Sequence, residues 1–161
     1  MPIIRLTTLV NASVEKVFDL SRCIDLHESS MSAHGEKAVA GITAGLISPG
    51  ETVTWRAKHF GIWQHLTSRI TKYDRPNHFR DSMVKGAFKR FDHDHFFTAT
   101  AETTTEMIDV FDYASPLGLA GKIVDALILK SYMTQLLEER NRVVKAVAES
   151  EQWRKFLSEQ S

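Results

Sequence analysis

The chain runs from a strand-like segment through two short helical ones into about six strand-like segments in succession, and closes on one long helical stretch. Alternate residues of a strand point to the same face, so consecutive antiparallel strands build one sheet with one apolar side. A single amphipathic helix that follows them can bury its stripe only across the open face of that sheet. The predicted class is therefore α+β: a curved antiparallel sheet wrapped around a long C-terminal helix, with two short helices after strand 1. Such an arrangement encloses a pocket. With 161 residues, 43% of them hydrophobic, the chain has enough apolar material for one domain, read over residues 1–148, with a core that can be partly hollow. Residues 149–161 read as a polar tail or helix extension carrying Trp153 and Phe156.

Twenty Lys and Arg balance 20 Asp and Glu, so no global field favours nucleic acid or an anionic membrane surface. The start lacks a basic segment followed by an apolar one, and no run approaches the ~18 apolar residues of a membrane helix. These features predict a soluble cytoplasmic protein with no integral membrane segment and leave a homo-oligomer open. Cys23 is the only cysteine and reads as a buried spectator thiol, with His27 four residues on as the sole hint of reactivity.

Ile3 to Val10 form the first strand in this reading, and Asn11-Ala12-Ser13 supply capping side chains for a helix with Val14, Val17 and Phe18 inward. Cys23 to Met31 form the second short helix, and a short strand lies around Glu36 to Val39. Strands follow at Glu51–Phe60, Ile62–Tyr73, His78–Lys85, Lys89–Ala99 and Thr103–Asp112, separated by turn residues at hairpin spacing. The segment Ala114 to Gly121 reads as a linker or a lid. The long helix spans about Leu119 to Ala148 and directs Ile123, Leu127, Met133, Leu136, Leu137, Val143, Val144 and Val147 inward.

Pleat parity then selects the interior. Trp55, Leu66, Phe79, Met83, Phe91 and Met107 supply apolar walls, joined by Met133 and Leu136 from the helix. The same faces carry polar groups: His59, Gln64, Asp81, His93, His95 and Asp109. Unpaired burial of such groups costs roughly 1–3 kcal/mol each, so they pair with one another or face a ligand. A polar cluster in an apolar cup suits ligand binding. The competing reading is a structural His–Asp network that fixes strand register.

Catalytic candidates follow from the same set: His93 or His95 as acid or base, oriented by Asp81 or Asp109. No nucleophile accompanies them, since Ser68 shares the face but no G-x-S-x-G elbow surrounds it. His93-x-His95 with a carboxylate is compatible with a metal ion, but no HExxH or CxxC motif accompanies it, and neither metal nor cofactor is assigned. A third possibility is an interaction module whose cup is filled by its own side chains, with Phe60, Trp63, Phe88, Phe96, Trp153 and Phe156 on its surface.

Several segments resemble the SRPBCC superfamily, also called START-like or Bet v 1-like helix-grip proteins, over about residues 2 to 148. The opening Ala12-Ser13-Val14-Glu15-Lys16-Val17-Phe18-Asp19 is similar to the family's start, with Ser13 where Pro is common. The stretches Gly41–Leu46, Val53–Gly61, Asp74-Arg75-Pro76 and Gly86-Ala87-Phe88 leading to His93–Phe96 resemble a bacterial polyketide cyclase/dehydrase-type subgroup. The resemblance implies a seven-stranded sheet around the C-terminal helix and a hydrophobic cavity between them. It implies a lipid, polyketide or aromatic metabolite as ligand and transmits no catalytic set.

Overall fold

The computed structural model describes residues 2–115 and 128–157. Its sheet has seven antiparallel strands: β1 (Ile3–Val10), β2 (Lys37–Gly41), β3 (Thr52–His59), β4 (Ile62–Asp74), β5 (His78–Lys85), β6 (Arg90–Ala101) and β7 (Thr104–Ala114). Their spatial order is β1-β7-β6-β5-β4-β3-β2. The segment between β1 and β2 therefore crosses from one edge to the other, and it carries α1 (Val14–Ser21) and α2 (Ile24–Ser30). Ser13 occupies the N-cap position of α1 with an extended backbone, but its side chain makes no cap hydrogen bond, contrary to the capping role read from the sequence.

The long helix α3 is described over Lys130–Ala148. Residues 119–127 of the predicted helix, with Ile123 and Leu127, and residues 116–121 of the linker lie outside the described residues. α3 approaches β1, α1 and α2 closely, so it closes on the sheet at one end and one side. The main apolar cluster forms there. Phe18 of α1 meets Tyr73, Phe79 and Phe97 edge-on at centroid distances of 5.5, 5.4 and 5.3 Å, and Val144 and Val147 of α3 join them. A second cluster, Ile4, Phe91, Phe111, Tyr113 and Leu137, lies further along the same groove.

After Ala148 the chain makes a short 3-10 turn and then α4 (Arg154–Leu157). Trp153, Phe156 and Leu157 pack against the main cluster, and Lys16 of α1 stands 4.7 Å over the Trp153 ring. Two turns shape the sheet's far end. Gly41 has φ of 73°, and any Cβ there would lie 2.2 Å from the Thr52 carbonyl oxygen. Phe60 and Gly61 form a two-residue β3–β4 hairpin turn with φ of 52° and 74°, the left-handed pair that matches strand twist.

Charged residues tie these elements outside the core. Asp19 of α1 accepts from Arg22 at 2.9 Å and from Arg75 of the β4–β5 turn at 2.6 Å. Asp94, on the outer face of β6, accepts from Arg80 at 2.7 Å and pairs with His78 at the same distance. Burial pushes both carboxyls up. The hydrogen bonds from Arg75 and Arg22 in one case, and from Arg80 and His78 in the other, outweigh it and hold both below the usual range. The unfolded chain therefore takes up these protons first as pH falls. The stability they supply is complete above an unfolded carboxyl pKa of about 3.9 and is lost as pH drops through the folded values. The urea midpoint is expected to decline between about pH 5 and pH 3, and Asp19→Asn to flatten that decline. Parallel curves for wild type and variant would contradict the assignment.

Candidate functional site

Register assembles the polar cluster. Asp81 on β5 lies opposite His93 on β6, and His95 on β6 lies opposite Asp109 on β7. All four side chains point to the concave face, and the rings of His93 and His95 are 3.8 Å apart. Asp109 is fully buried. Its carboxylate accepts from His93 Nε2 at 3.0 Å and from Asn141 Nδ2 of α3 at 2.6 Å. Arg140 Nη1 stands 3.5 Å away, and Arg140 Nη2 donates to the Ser21 carbonyl at 2.9 Å. His95 donates from Nε2 to Asp81 Oδ2 at 3.1 Å. Its Nδ1 lies 2.8 Å from Asp109 Oδ1 but out of line for a hydrogen bond.

The distribution of charge follows. Burial pushes Asp109 up, but the His93 hydrogen bond and the close approach of His95 hold it well below the usual carboxylate range. Asp81 is also lowered, since the His95 hydrogen bond and the charge of His93 outweigh its burial. Burial pushes His95 down, yet the Asp109 carboxylate against its Nδ1 and the hydrogen bond with Asp81 leave it raised. His93 is lowered, by burial and then by the neighbouring charge on His95. The two rings, 3.8 Å apart, are thus pushed in opposite directions: the site favours the charged form of His95 and the neutral form of His93. His93 turns Nε2 to Asp109 and holds Nδ1 3.9 Å from Asp81 Oδ2.

A cavity of about 530 Å³ lies between the sheet and the N-terminal half of α3. Of the residues expected at the site, Trp55, His59, Gln64, Leu66, Asp81, Phe91, His93, Met133 and Leu136 line it. Phe79 and His95 line instead a smaller inner cavity of about 110 Å³, which Asp81 and His93 also border. Three expected residues line neither. Met83 packs at the edge of the second apolar cluster. Met107 is wholly buried beside Ser21 of α1, and Asp109 lies beneath the histidines. For Met107 and Asp109 the physical reason is depth: parity fixes the face of β7, while α3 comes down on the β1 side and covers the inward residues there; Met83 stands near the end of β5, where the strand runs out to exposed Val84 and Lys85.

The cavity also uses residues that sequence reasoning missed. Arg140, buried on α3, lines its inner wall. Tyr132 of α3 shares a 2.8 Å hydrogen bond with His59 Nδ1; burial pushes the His59 ring down and the Tyr132 hydroxyl up. His27 of α2 stacks on Trp55 at 4.3 Å and pairs with Glu36 at 2.5 Å. The only sequence signal for Arg140 and Asn141 is a gap in the apolar stripe between Leu137 and Val144, at the spacing of one inward turn. The cavity meets solvent where Phe60 and Ile128, both lining it, are 59% and 57% exposed. Phe60 lies on Tyr132 with ring centroids 4.5 Å apart. The remaining surface aromatics are partly covered: Trp63 by Arg56 at 4.1 Å and Phe96 by His78 at 4.5 Å, and Phe88 by Tyr113 at 5.6 Å. The cup is thus hollow, unlike the filled core that the interaction-module reading requires.

No helix among the described residues is long and apolar enough to cross a membrane. No family model and no curated protein matches the chain in sequence. Solved structures do match in three dimensions. The protein TTHA0849 from Thermus thermophilus is 18% identical with a TM-score of 0.70, over 91% of this chain and 99% of that one. A START superfamily protein from Mycobacterium smegmatis is 12% identical with a TM-score of 0.67, over 91% and 97%. Major latex-like protein 151 from Panax ginseng is 14% identical with a TM-score of 0.66, over the same shares. At these identities the likeness concerns architecture: the chain carries the helix-grip fold shared by START superfamily and Bet v 1-like proteins.

Proposed function

We propose that this protein binds one hydrophobic small molecule, of the lipid, polyketide or aromatic-metabolite class, in the cavity between sheet and helix. The observation that carries this reading is the cavity itself, about 530 Å³, within the range of roughly 300–1,000 Å³ typical of small-molecule sites. Trp55, Leu66, Phe91, Met133 and Leu136 hold the apolar body of the ligand. Gln64, His59 and Tyr132 contact it toward the mouth, and Asp81 and His93 contact it at the inner end. Phe79, Met83, Met107, His95 and Asp109 act from behind, as packing and as the network that keeps His93 in place. The shared fold with a START superfamily protein and a major latex-like protein agrees with the reading. A cytoplasmic location agrees with a lone, buried, unpaired Cys23.

Native mass spectrometry of gently purified protein tests the proposal directly: one co-purified apolar molecule per chain is expected. As a second measurement, an environment-sensitive naphthalene dye should bind at one equivalent and quench Trp55 fluorescence. Ala57→Phe, which fills the cavity from the centre of β3, should abolish that binding while leaving the fold intact. Absence of both a co-purified molecule and dye binding, or unchanged binding in Ala57→Phe, would sink the reading.

The division between contact and support has its own test. His95→Ala leaves the fully buried Asp109 and the half-buried Asp81 carboxylates short of a partner and is expected to cost about 3–5 kcal/mol in urea unfolding. His59→Ala, which removes one hydrogen bond at the mouth, is expected to cost about 1 kcal/mol and to weaken dye binding. Similar costs for the two variants would refute this division.

A further inference from the structure

The His–Asp cluster has a feature that neither ligand contact nor a simple ion pair requires. Each imidazole stands between two carboxylates. On one side, His95 Nε2 and His93 Nδ1 lie 3.1 and 3.9 Å from the same atom, Asp81 Oδ2. On the other side, the opposite ring nitrogens, His95 Nδ1 and His93 Nε2, lie 2.8 and 3.0 Å from the same atom, Asp109 Oδ1. Each ring makes one His–Asp hydrogen bond, His93 Nε2 with Asp109 and His95 Nε2 with Asp81, and leaves its second nitrogen near the other carboxylate without one. Metal-ligating histidines likewise turn one ring nitrogen to the ion and the other toward an outer carboxylate, and here Asp81, His93 and His95 each bring one donor atom to the same place.

We propose that Asp81, His93 and His95 bind a divalent first-row transition-metal ion, with Asp109 as the outer carboxylate that holds His93 by a hydrogen bond and lies against His95. The donors of these three residues lie within 4.8 Å of one another. Metal–ligand bonds of about 2.1 Å set ligand-to-ligand edges of roughly 3.0–3.4 Å. The His95–Asp81 edge already has that length, and the His93–Asp81 edge is longer by about half an ångström on the same scale. The ion takes the place of the proton that His95 Nε2 shares with Asp81. Two imidazoles and one carboxylate suit Zn²⁺, Fe²⁺ or Co²⁺ better than Mg²⁺ or Ca²⁺, which prefer oxygen alone.

The outer shell is already built. Asn141 Nδ2 fixes Asp109 at 2.6 Å, Arg140 stands beside it, and Asp109 itself is fully buried. The ligating side is not closed in this way, because Asp81 and His93 border both cavities. A coordination position therefore opens toward the cavity. Counting the ion, two carboxylates and Arg140 leaves one positive charge, so that position favours an anionic oxygen, such as the carboxylate or phenolate of an otherwise apolar molecule. This last point rests on the ligand-binding reading above; metal uptake does not.

The test uses the full chain, freed of metal with a chelator, and Co²⁺ or Zn²⁺ alone as the probe. Co²⁺ should bind at one equivalent with visible d–d absorption that Zn²⁺ abolishes. Asp81→Asn keeps a hydrogen-bond acceptor for His95 but loses the charged ligand, and His93→Gln loses an imidazole. Each should weaken uptake by more than the ~10–100-fold that loss of an outer-shell partner costs. His78→Gln, on the outer face of the sheet, should leave it unchanged. Should either ligand variant fail to fold, wild-type protein still decides the matter by NMR: Zn²⁺ must shift the ring signals of His93 and His95 before those of the other histidines. Absence of stoichiometric uptake, uptake retained by both ligand variants, or prior shifts at other histidines would overturn the proposal. Ala57→Phe separates the two readings, since it should lose the dye and keep the ion.

Discussion

A carboxylate with no access to water is the constraint around which this fold closes. Asp109 sits at the middle of β7, and its partners come from two different elements: His93 and His95 from the neighbouring strand, and Asn141 and Arg140 from the helix. The apolar stripe of α3 would pack acceptably at several rotations, because hydrophobic contact has little direction. Hydrogen bonds to one buried oxygen pair do have direction, and they select one seating of the helix on the sheet. Exchanging the whole set for hydrocarbon of equal volume need not weaken the protein, whereas removal of one member strands a charge.

The seating in turn creates the hollow. α3 is drawn down at the level of Arg140, Asn141, Val144 and Val147, where β1, α1 and α2 meet it. Its preceding turns, with Tyr132, Met133 and Leu136, remain over the central strands without filling the space beneath. The polar lock therefore stands at the inner end of the cavity, and the aromatic and imidazole groups of His27, Trp55, His59 and Tyr132 stand nearer the mouth. Any occupant meets two chemically distinct ends separated by a stretch of hydrocarbon.

Much of this was legible in the sequence because strand period and burial coincide. On β7, Thr105, Met107, Asp109, Phe111 and Tyr113 are all buried, while the residues between them are partly exposed, as alternation requires. The clustering of His93, His95, Asp81 and Asp109 followed from the same parity. What parity does not carry is depth along the groove, so Met107 and Asp109 were grouped with residues that line the cavity although the helix covers them. The helix hid more. Arg140 and Asn141 interrupt an apolar stripe, and a long charged side chain within a helix ordinarily reaches solvent; only a carboxylate supplied by a distant strand makes inward burial favourable. Tyr132 and Glu36 carry no periodic signal at all, since their partners are set by where the mouth of the cavity falls.

The turn between β3 and β4 carries one further implication. A phenylalanine at φ of 52° occupies a region that costs an L-residue roughly 1–2 kcal/mol relative to its preferred conformations, where asparagine or glycine is the common choice. At Phe60 the side chain's packing on Tyr132 offsets that cost, so the hairpin and the opening turns of α3 hold each other in place. Parting the two rings would leave the turn with its backbone penalty and without its compensation. Hairpin and helix are thereby linked in free energy: whatever enters or leaves between them changes how tightly the end of a two-stranded ribbon is wound, some distance from the buried charges that fix the other end of the helix.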